Sequence, residues 1–400
     1  MNLKTMSSRR LFQLLDLFLG LFLLIKFANG FNLSAREDRI LCKDKERQAQ
    51  LELKQSGKHL NFLYLSDNDF GGSQFPDFNG SLSRLRLEFL DLSGNNYSVI
   101  SFDWLYHLSF LKYLDLSSNH VGEKSWLKLV NKLPLHLENL QLRSCGLHGI
   151  ILSQPLNGSF ASLIRVINVF RNRLTSSSAL KWLTNISSNL AELNLEYNNL
   201  IQASVPGIFR NMASLKHLYL SDNQLRDGIQ GILGNICTLQ TLDLSHNNLT
   251  GLFPQLPWCI ESSLEIFNLD WNSLHGPLPD FTSLASSKLV VLVLDGNQLT
   301  GPLPNFCNNA FMSLEELDIS HNRFNGTVTE SLGCLSRLKH LLASQNSMED
   351  LLSPNTLFIT EMDLSSNMFD GPLPLLPYIN VLNLAKNRLT GSLDPFCKIT

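Results

Sequence analysis

His246 and His321 are the side chains of this 400-residue chain that suggest acid–base chemistry, whereas Asp91, Asp115, Asp243, Asp318 and Asp363 recur in LDLS-type runs as repeat grammar and not as ligand contacts. The series Gly228, Gly231, Gly234 could suggest a phosphate cradle, and seven cysteines could bridge or hold a metal. Spacing argues against each reading. Each histidine stands immediately before a recurrent Asn, on turns three apart, so the two would lie roughly 14 Å from each other, too far to share a proton. The glycines do not follow a strand, and no GxSxG, HExxH, GxxxxGK[ST] or GxGxxG occurs. No CxxC or other metal-ligand spacing is present. The expectation is a chain without catalytic residues, metal or cofactor, and not an enzyme.

The elements that position these residues come from one pattern, LxxLxLxxNxL, written fourteen times between Leu60 and Leu389. The Asn-equivalent positions are 68, 95, 119, 145, 172, 198, 223, 247, 272, 297, 322, 346, 367 and 387, at steps of 20 to 27 residues. That period is the leucine-rich-repeat period. In the LxL core, Leu242 and Leu244 leave a strand on one face and point inward, while Asp243 and Ser245 point out. One turn cannot bury its leucines alone, whereas stacked turns form a continuous column. The Asn turns the chain off the strand and offers its amide to unpaired backbone groups. Cys145 fills one rung of this ladder and reads as a small buried residue. The fold class is therefore α/β: a leucine-rich-repeat solenoid, a curved superhelix with a parallel β-sheet on its concave face and about fourteen repeats, near 60 to 65 Å along the stack at about 4.8 Å per strand.

After the Asn, several repeats continue as Leu249, Gly251, Pro254; Leu274, Gly276, Pro279; Leu299, Gly301, Pro304; and Phe369, Gly371, Pro374. Gly then Pro implies a tight turn followed by an extended run. Short apolar segments, Phe209 to Leu215, Leu233 to Leu239 and Phe311 to Leu314, are expected to form helical turns on the return side. The LxGxxP continuation resembles the plant-specific class of leucine-rich repeats found in receptor kinases, receptor-like proteins and polygalacturonase inhibitors. The runs LDLSSN, LDLSHNNLTG, LRSCGL and GNICTLQTLDLS and the opening CKDKERQA are similar to plant receptor-like proteins that sense microbial elicitors, including the fungal-xylanase receptor group. The resemblance covers roughly residues 42 to 400.

Residues 1–30 read as a signal peptide: Lys4, Arg9 and Arg10 precede an apolar run from Leu11 to Phe27, which ends in Ala28, Asn29 and Gly30. At seventeen residues, with Asp16 and Lys26 inside it, this run is short for a bilayer span of about 20. No later segment has 18 consecutive apolar residues, so no membrane helix is expected apart from the signal peptide. Sequons at Asn32, Asn79, Asn96, Asn157, Asn185, Asn248 and Asn325 suit the same secretory route. A formal charge of -3 with scattered basic residues argues against nucleic acid as partner.

Residues 31–59 hold a partial N-terminal cap. In the plant-type family, the resemblance implies a Cys and ER-motif helix, matched by Cys42, Glu46 and Arg47, and then a Cys- and Trp-rich half that is missing here. Cys145, Cys237, Cys259, Cys307, Cys334 and Cys397 are spread through the repeats; a flank bridge between Cys237 and Cys259 is open, and spacing does not decide it. The array, residues 60–400, stops in mid-repeat three residues after Cys397, which is the expectation for a truncated receptor or an incomplete gene product.

Residues before the ladder Asn are expected on the exposed concave side. Of these, Arg171, Tyr197, His246, Trp271 and His321 are of the types enriched in binding hot spots and form the candidate ligand surface. The resemblance implies an extracellular or plasma-membrane outer-face recognition module that binds a peptide or protein ligand in defence or development and signals through a co-receptor kinase. A secreted inhibitor resembling the polygalacturonase inhibitors, and a non-functional truncated product, are the alternatives.

Overall fold

The computed structural model describes residues 60–68, 86–96, 102–121, 128–148, 163–175, 180, 182–183, 187–201, 209, 212–226, 233, 236–256, 258–279, 288–308, 311–328, 330–349, 359–373 and 379–391. The expected signal peptide and cap, with Cys42, Glu46, Arg47, Cys397, Asn32, Asn79, Asn157 and Asn185, lie outside the described residues.

Fourteen three-residue strands form one parallel sheet. In chain order they begin with β1 (Phe62–Tyr64), β2 (Phe89–Asp91), β3 (Tyr113–Asp115), β4 (Asn139–Gln141), β5 (Val166–Asn168), β6 (Glu192–Asn194), β7 (His217–Tyr219) and β8 (Thr241–Asp243). From there strands of two sheets alternate. The long sheet continues through β10 (Ile266–Asn268), β12 (Val291–Val293), β14 (Glu316–Asp318), β16 (His340–Leu342), β18 (Glu361–Asp363) and β19 (Val381–Asn383). Interleaved with them are β9 (Thr250–Gly251), β11 (Ser273–Gly276), β13 (Gln298–Gly301), β15 (Arg323–Thr327) and β17 (Ser347–Glu349), which make a second parallel sheet.

Register in the long sheet is set by the inward leucine. Leu242 pairs with Phe267, Phe267 with Leu292, and Leu292 with Leu317, so every central residue stacks on its equivalent one turn away. Leu242, Leu244, Leu218, Leu220 and their counterparts are fully buried. Each such side chain contributes about 1.5 to 3 kcal/mol relative to exposure, and a one-residue slip would turn the whole set outward. Phe209, Phe306, Phe311 and Trp182 close the core from the return side.

The asparagine ladder matches expectation and shows how it works. Asn247 Nδ2 donates to the carbonyls of Leu244 and Ser245, both 3.0 Å, and across the stack to Leu220, 2.9 Å; its Oδ1 accepts from the Leu225 N–H at 3.1 Å. At the Cys145 rung the thiol contacts the carbonyl of Leu116, 3.2 Å, and the Val121 N–H turns instead to the Cys145 carbonyl at 3.3 Å. Burial pushes that thiol up to about 12, so it stays protonated, in line with a packing residue.

Two features of the repeat were not anticipated. The second sheet pairs the runs that follow Asn247, Asn272, Asn297, Asn322 and Asn346 with one another, and the left-handed glycines Gly251, Gly276, Gly301 and Gly326 lie in or end its strands. Of the segments expected to form helical turns on the return side, Phe311 to Leu314 is a hydrogen-bonded turn with the Leu314 N–H on the Phe311 carbonyl at 3.0 Å, and 3-10 turns that were not expected lie at Phe306–Asn308 and Glu330–Cys334. The aspartates of the LDLS-type runs have a backbone task, since Asp91, Asp115, Asp243, Asp318 and Asp363 each accept the N–H two residues on, at 2.8 to 3.0 Å. They are repeat grammar, as their recurrence suggested.

Candidate functional site

All fourteen positions that precede the ladder residue adopt the left-handed conformation. Arg171 (φ 54), Tyr197 (φ 50), His246 (φ 50), Trp271 (φ 47) and His321 (φ 48) share it with serines, aspartates, Gln345, Lys386, Gly94 and Gly296. For an L-residue this conformation costs roughly 1 to 2 kcal/mol, and the ladder bonds of the next residue hold it. The candidate residues therefore leave the sheet at the turn that ends each strand, and their side chains cross towards neighbouring turns.

Three of the five come together. Trp271 is 50% exposed. Its indole is parallel to the His246 ring, 6.0 Å between centroids and 7° between planes, and lies 6.1 Å from the His321 ring at 37°. His321 stands two turns beyond Trp271, and the intervening position is Gly296. A Cβ on Gly296 would lie 2.8 Å from Trp271 Cδ2, so the absence of a side chain lets the indole bridge the gap.

Asp295 organises this group. Its Oδ1 lies 2.7 Å from His321 Nδ1, and its main-chain carbonyl accepts the Trp271 backbone N–H at 2.8 Å. Burial raises the Asp295 carboxyl above the usual carboxylate range, and the charge and hydrogen bonds of His321 oppose that rise. With Nδ1–H directed at Asp295, His321 Nε2 accepts from the Gln345 amide on the next turn. The concave columns thus do bring an acid and an imidazole together, which the distance between the two histidines had not foreshadowed. The relevant acid came from the adjacent turn, one column over.

Arg171 and Tyr197 form a separate group. Tyr197 packs edge-on against Phe170, 5.1 Å and 63°, on the turn before it, while Arg171 is exposed beside that ring. The turn carrying Asp222 lies between Tyr197 and His246. Phe170 was not singled out from the sequence, nor was an aromatic column at the start of the sheet, where Phe89 stacks on Tyr113 at 4.3 Å and meets Tyr64 at 4.6 Å with a 40° tilt. The signal for that column was present in the aromatic residue that opens each of the first three LxL cores.

Beneath Trp271 the outward strand positions are acidic and closely covered. Asp318 is 4% exposed, and burial, reinforced by Asp295, raises its carboxyl to about 7. Glu316 is raised by burial in the same way. Among the described residues no group of three or more His, Cys, Asp or Glu could hold a metal ion, and no helix is long and apolar enough to cross a membrane. Disulfides join Cys237 to Cys259 and Cys307 to Cys334, with Cα separations of 4.8 and 5.1 Å. The first is the bridge that spacing left open; the second was not foreseen. Such bridges persist in oxidising compartments. The sequon residues Asn96, Asn248 and Asn325 are exposed.

Comparison with known proteins agrees with this architecture. Leucine Rich Repeat family matches fall at residues 86–108, 214–236, 238–259, 288–310 and 313–335, with a further one at 107–125. The chain is similar to the tomato (Solanum lycopersicum) receptor-like protein EIX1, 34% identical over 195 residues, which is 43% of this chain and 19% of that protein. It is also similar to tomato receptor-like protein EIX2, 30% identical over 192 residues, 42% of this chain and 18% of that one. The matched segments thus span less than a fifth of either relative. The ectodomain of the Arabidopsis receptor kinase HAESA, solved in complex with an extended IDA peptide hormone ligand, superposes with a TM-score of 0.59 at 25% identity, over 84% of this chain and 59% of that one.

Proposed function

We propose, from the premise that this chain is a plant leucine-rich-repeat protein of the receptor-like type, that it is an extracellular recognition module for a peptide or protein ligand. The observation that carries the proposal is the half-exposed Trp271, held between His246 and His321 on a rigid parallel sheet. Aromatic side chains fixed before binding lose little entropy on contact, which is why they dominate interface energetics. Tyr197 and Arg171, three and four turns from Trp271, would extend the contact along the same edge. A ligand laid along the stack would touch several turns at once, and the peptide-bound HAESA ectodomain offers the analogy.

In this proposal residues 1–30 direct secretion, residues 31–59 cap the array, and the folded product faces the cell exterior, where its two disulfides are stable. Glycans on Asn96, Asn248 and Asn325 would occupy the flank that follows the ladder, leaving the Trp271 side open. Signalling in defence or development passes through a partner receptor kinase. The test is to secrete the chain from plant cells, immobilise it, and pass apoplastic peptide fractions over the native form and a Trp271→Ala/His321→Ala variant. Saturable peptide retention by the native chain, reduced at least about tenfold in the variant, is expected for a hot-spot pair. Equal retention by both would remove the proposal for this surface.

A further inference from the structure

The outward positions of β8, β10, β12 and β14 and the turns that leave them carry Asp243, Asp270, Asp295, Glu316 and Asp318, and neither lysine nor arginine. Trp271 lies in the middle of this strip with half its surface open to solvent. An indole face is electron-rich and attracts cations, most strongly where low-dielectric surroundings limit screening. Sheet walls of one sign of charge focus the field at the ring they surround. A carboxylate ligand would meet repulsion from the ionised members of this strip, Asp318 holding its proton up to about 7, while an apolar one would leave that field unused.

We infer that the Trp271 face is the seat for a basic side chain, a guanidinium or ammonium presented by an extended peptide segment. This deepens the recognition reading above and rests on it. The cation stacks on the indole, and Asp295, whose carboxylate is bonded to His321 and whose carbonyl holds the Trp271 backbone N–H, supplies the nearest charge of opposite sign. His246 and His321 hold the ring from neighbouring turns and Gly296 lies against it, so the guanidinium meets the half of the indole that these neighbours leave exposed.

The experiment uses the full disulfide-bonded chain and two probe peptides, acetyl-Ser-Arg-Ser-amide and its citrulline counterpart, which has the same shape and no charge. Binding is followed through the Trp271 indole N–H resonance, assigned by its loss in Trp271→Phe. The arginine peptide is expected to shift that resonance saturably with a dissociation constant on the order of 1 to 10 mM, as suits one cation–π contact with charge support. The citrulline peptide should bind at least about fivefold more weakly, and Asp295→Asn, which keeps the acceptor and removes the charge, should erase most of that difference. Equal shifts by the two peptides, or no shift by either, would overturn the cation assignment. The recognition reading is judged apart from this: apoplastic peptides retained through Trp271 but lacking basic residues would leave it standing and overturn only the cation.

Discussion

Replacing Asn223 by Ala tests the ladder at a position away from the candidate site. Asn223 Nδ2 donates to the carbonyls of Leu195, 3.0 Å, Leu220, 3.1 Å, and Ser221, 3.1 Å, and its Oδ1 accepts from the Leu200 N–H at 3.0 Å. The four bonds are not equivalent. Leu195 O still receives Asn198 Nδ2, Leu220 O still receives Asn247 Nδ2, and Ser221 O still receives the Tyr197 N–H. Only the buried Leu200 N–H is left with no acceptor, at about 1 to 3 kcal/mol. Adding a few tenths for each of the three shared carbonyls puts the loss at about 3 kcal/mol. Asn223→Asp should cost more, because it keeps the acceptor for Leu200 but turns a carboxylate towards three carbonyl oxygens. Local stability is best read by hydrogen exchange, since long arrays need not unfold in one step. The Leu200 amide should lose protection by roughly two orders of magnitude in Asn223→Ala and keep more of it in Asn223→Asp, even though the latter unfolds at lower denaturant. A loss below about 1 kcal/mol, or unchanged Leu200 protection, would refute the assignment of the ladder energy to that one N–H. Cys145→Asn is the reverse experiment and should gain about 1 kcal/mol by giving the Val121 N–H a side-chain acceptor.

Asp318 provides a pH test. Its folded value of about 7 lies above the ordinary 3.8, so the native state binds the extra proton, and stability is greatest below about pH 4 and falls as pH rises through 7. Asp318→Asn, which can still accept from the Ser320 N–H, should raise the denaturation midpoint at pH 8 and match the parent at pH 4; a parallel offset at both would contradict the reasoning. Gly296→Ala should push the Trp271 indole off its bridge, seen as a red shift and quenching of its fluorescence, with a cost of about 1 to 2 kcal/mol from left-handed backbone and crowding; an unchanged spectrum would contradict the close approach. The Cys237→Ser/Cys259→Ser pair, closing a separation of 22 residues, should lose about 3 kcal/mol on the loop-entropy account, concentrated in exchange at β7, β8 and β10.

The strands, the ladder and the inward leucines were legible because each depends on residue type at a fixed offset within one turn. What escaped depends on neighbouring turns. Asp295 and His321 are 26 residues apart and meet because in-register stacking puts them side by side, while Gly296 leaves room for the Trp271 indole to reach His321. The second sheet escaped for a related reason, since the runs after the ladder Asn pair with the equivalent runs of neighbouring turns and not within their own. Cys307 and Cys334 likewise face each other across the stack through short 3-10 turns that no local periodicity marks. The left-handed turn was hidden because Arg, Tyr, Trp and His do not advertise it; the following Asn does, by the bonds that impose it.

That turn has a consequence for how the molecule can change. Because the ladder dictates the backbone at the position before each Asn, the strain there is small for glycine, asparagine and aspartate, similar for most other unbranched side chains and largest for β-branched ones. Exchanging one unbranched side chain for another alters what the surface offers while leaving the free energy of the scaffold nearly constant. The column from Asp67 to Lys386 is therefore a register of interchangeable characters, in which mutation can explore new specificities without first trading away the fold.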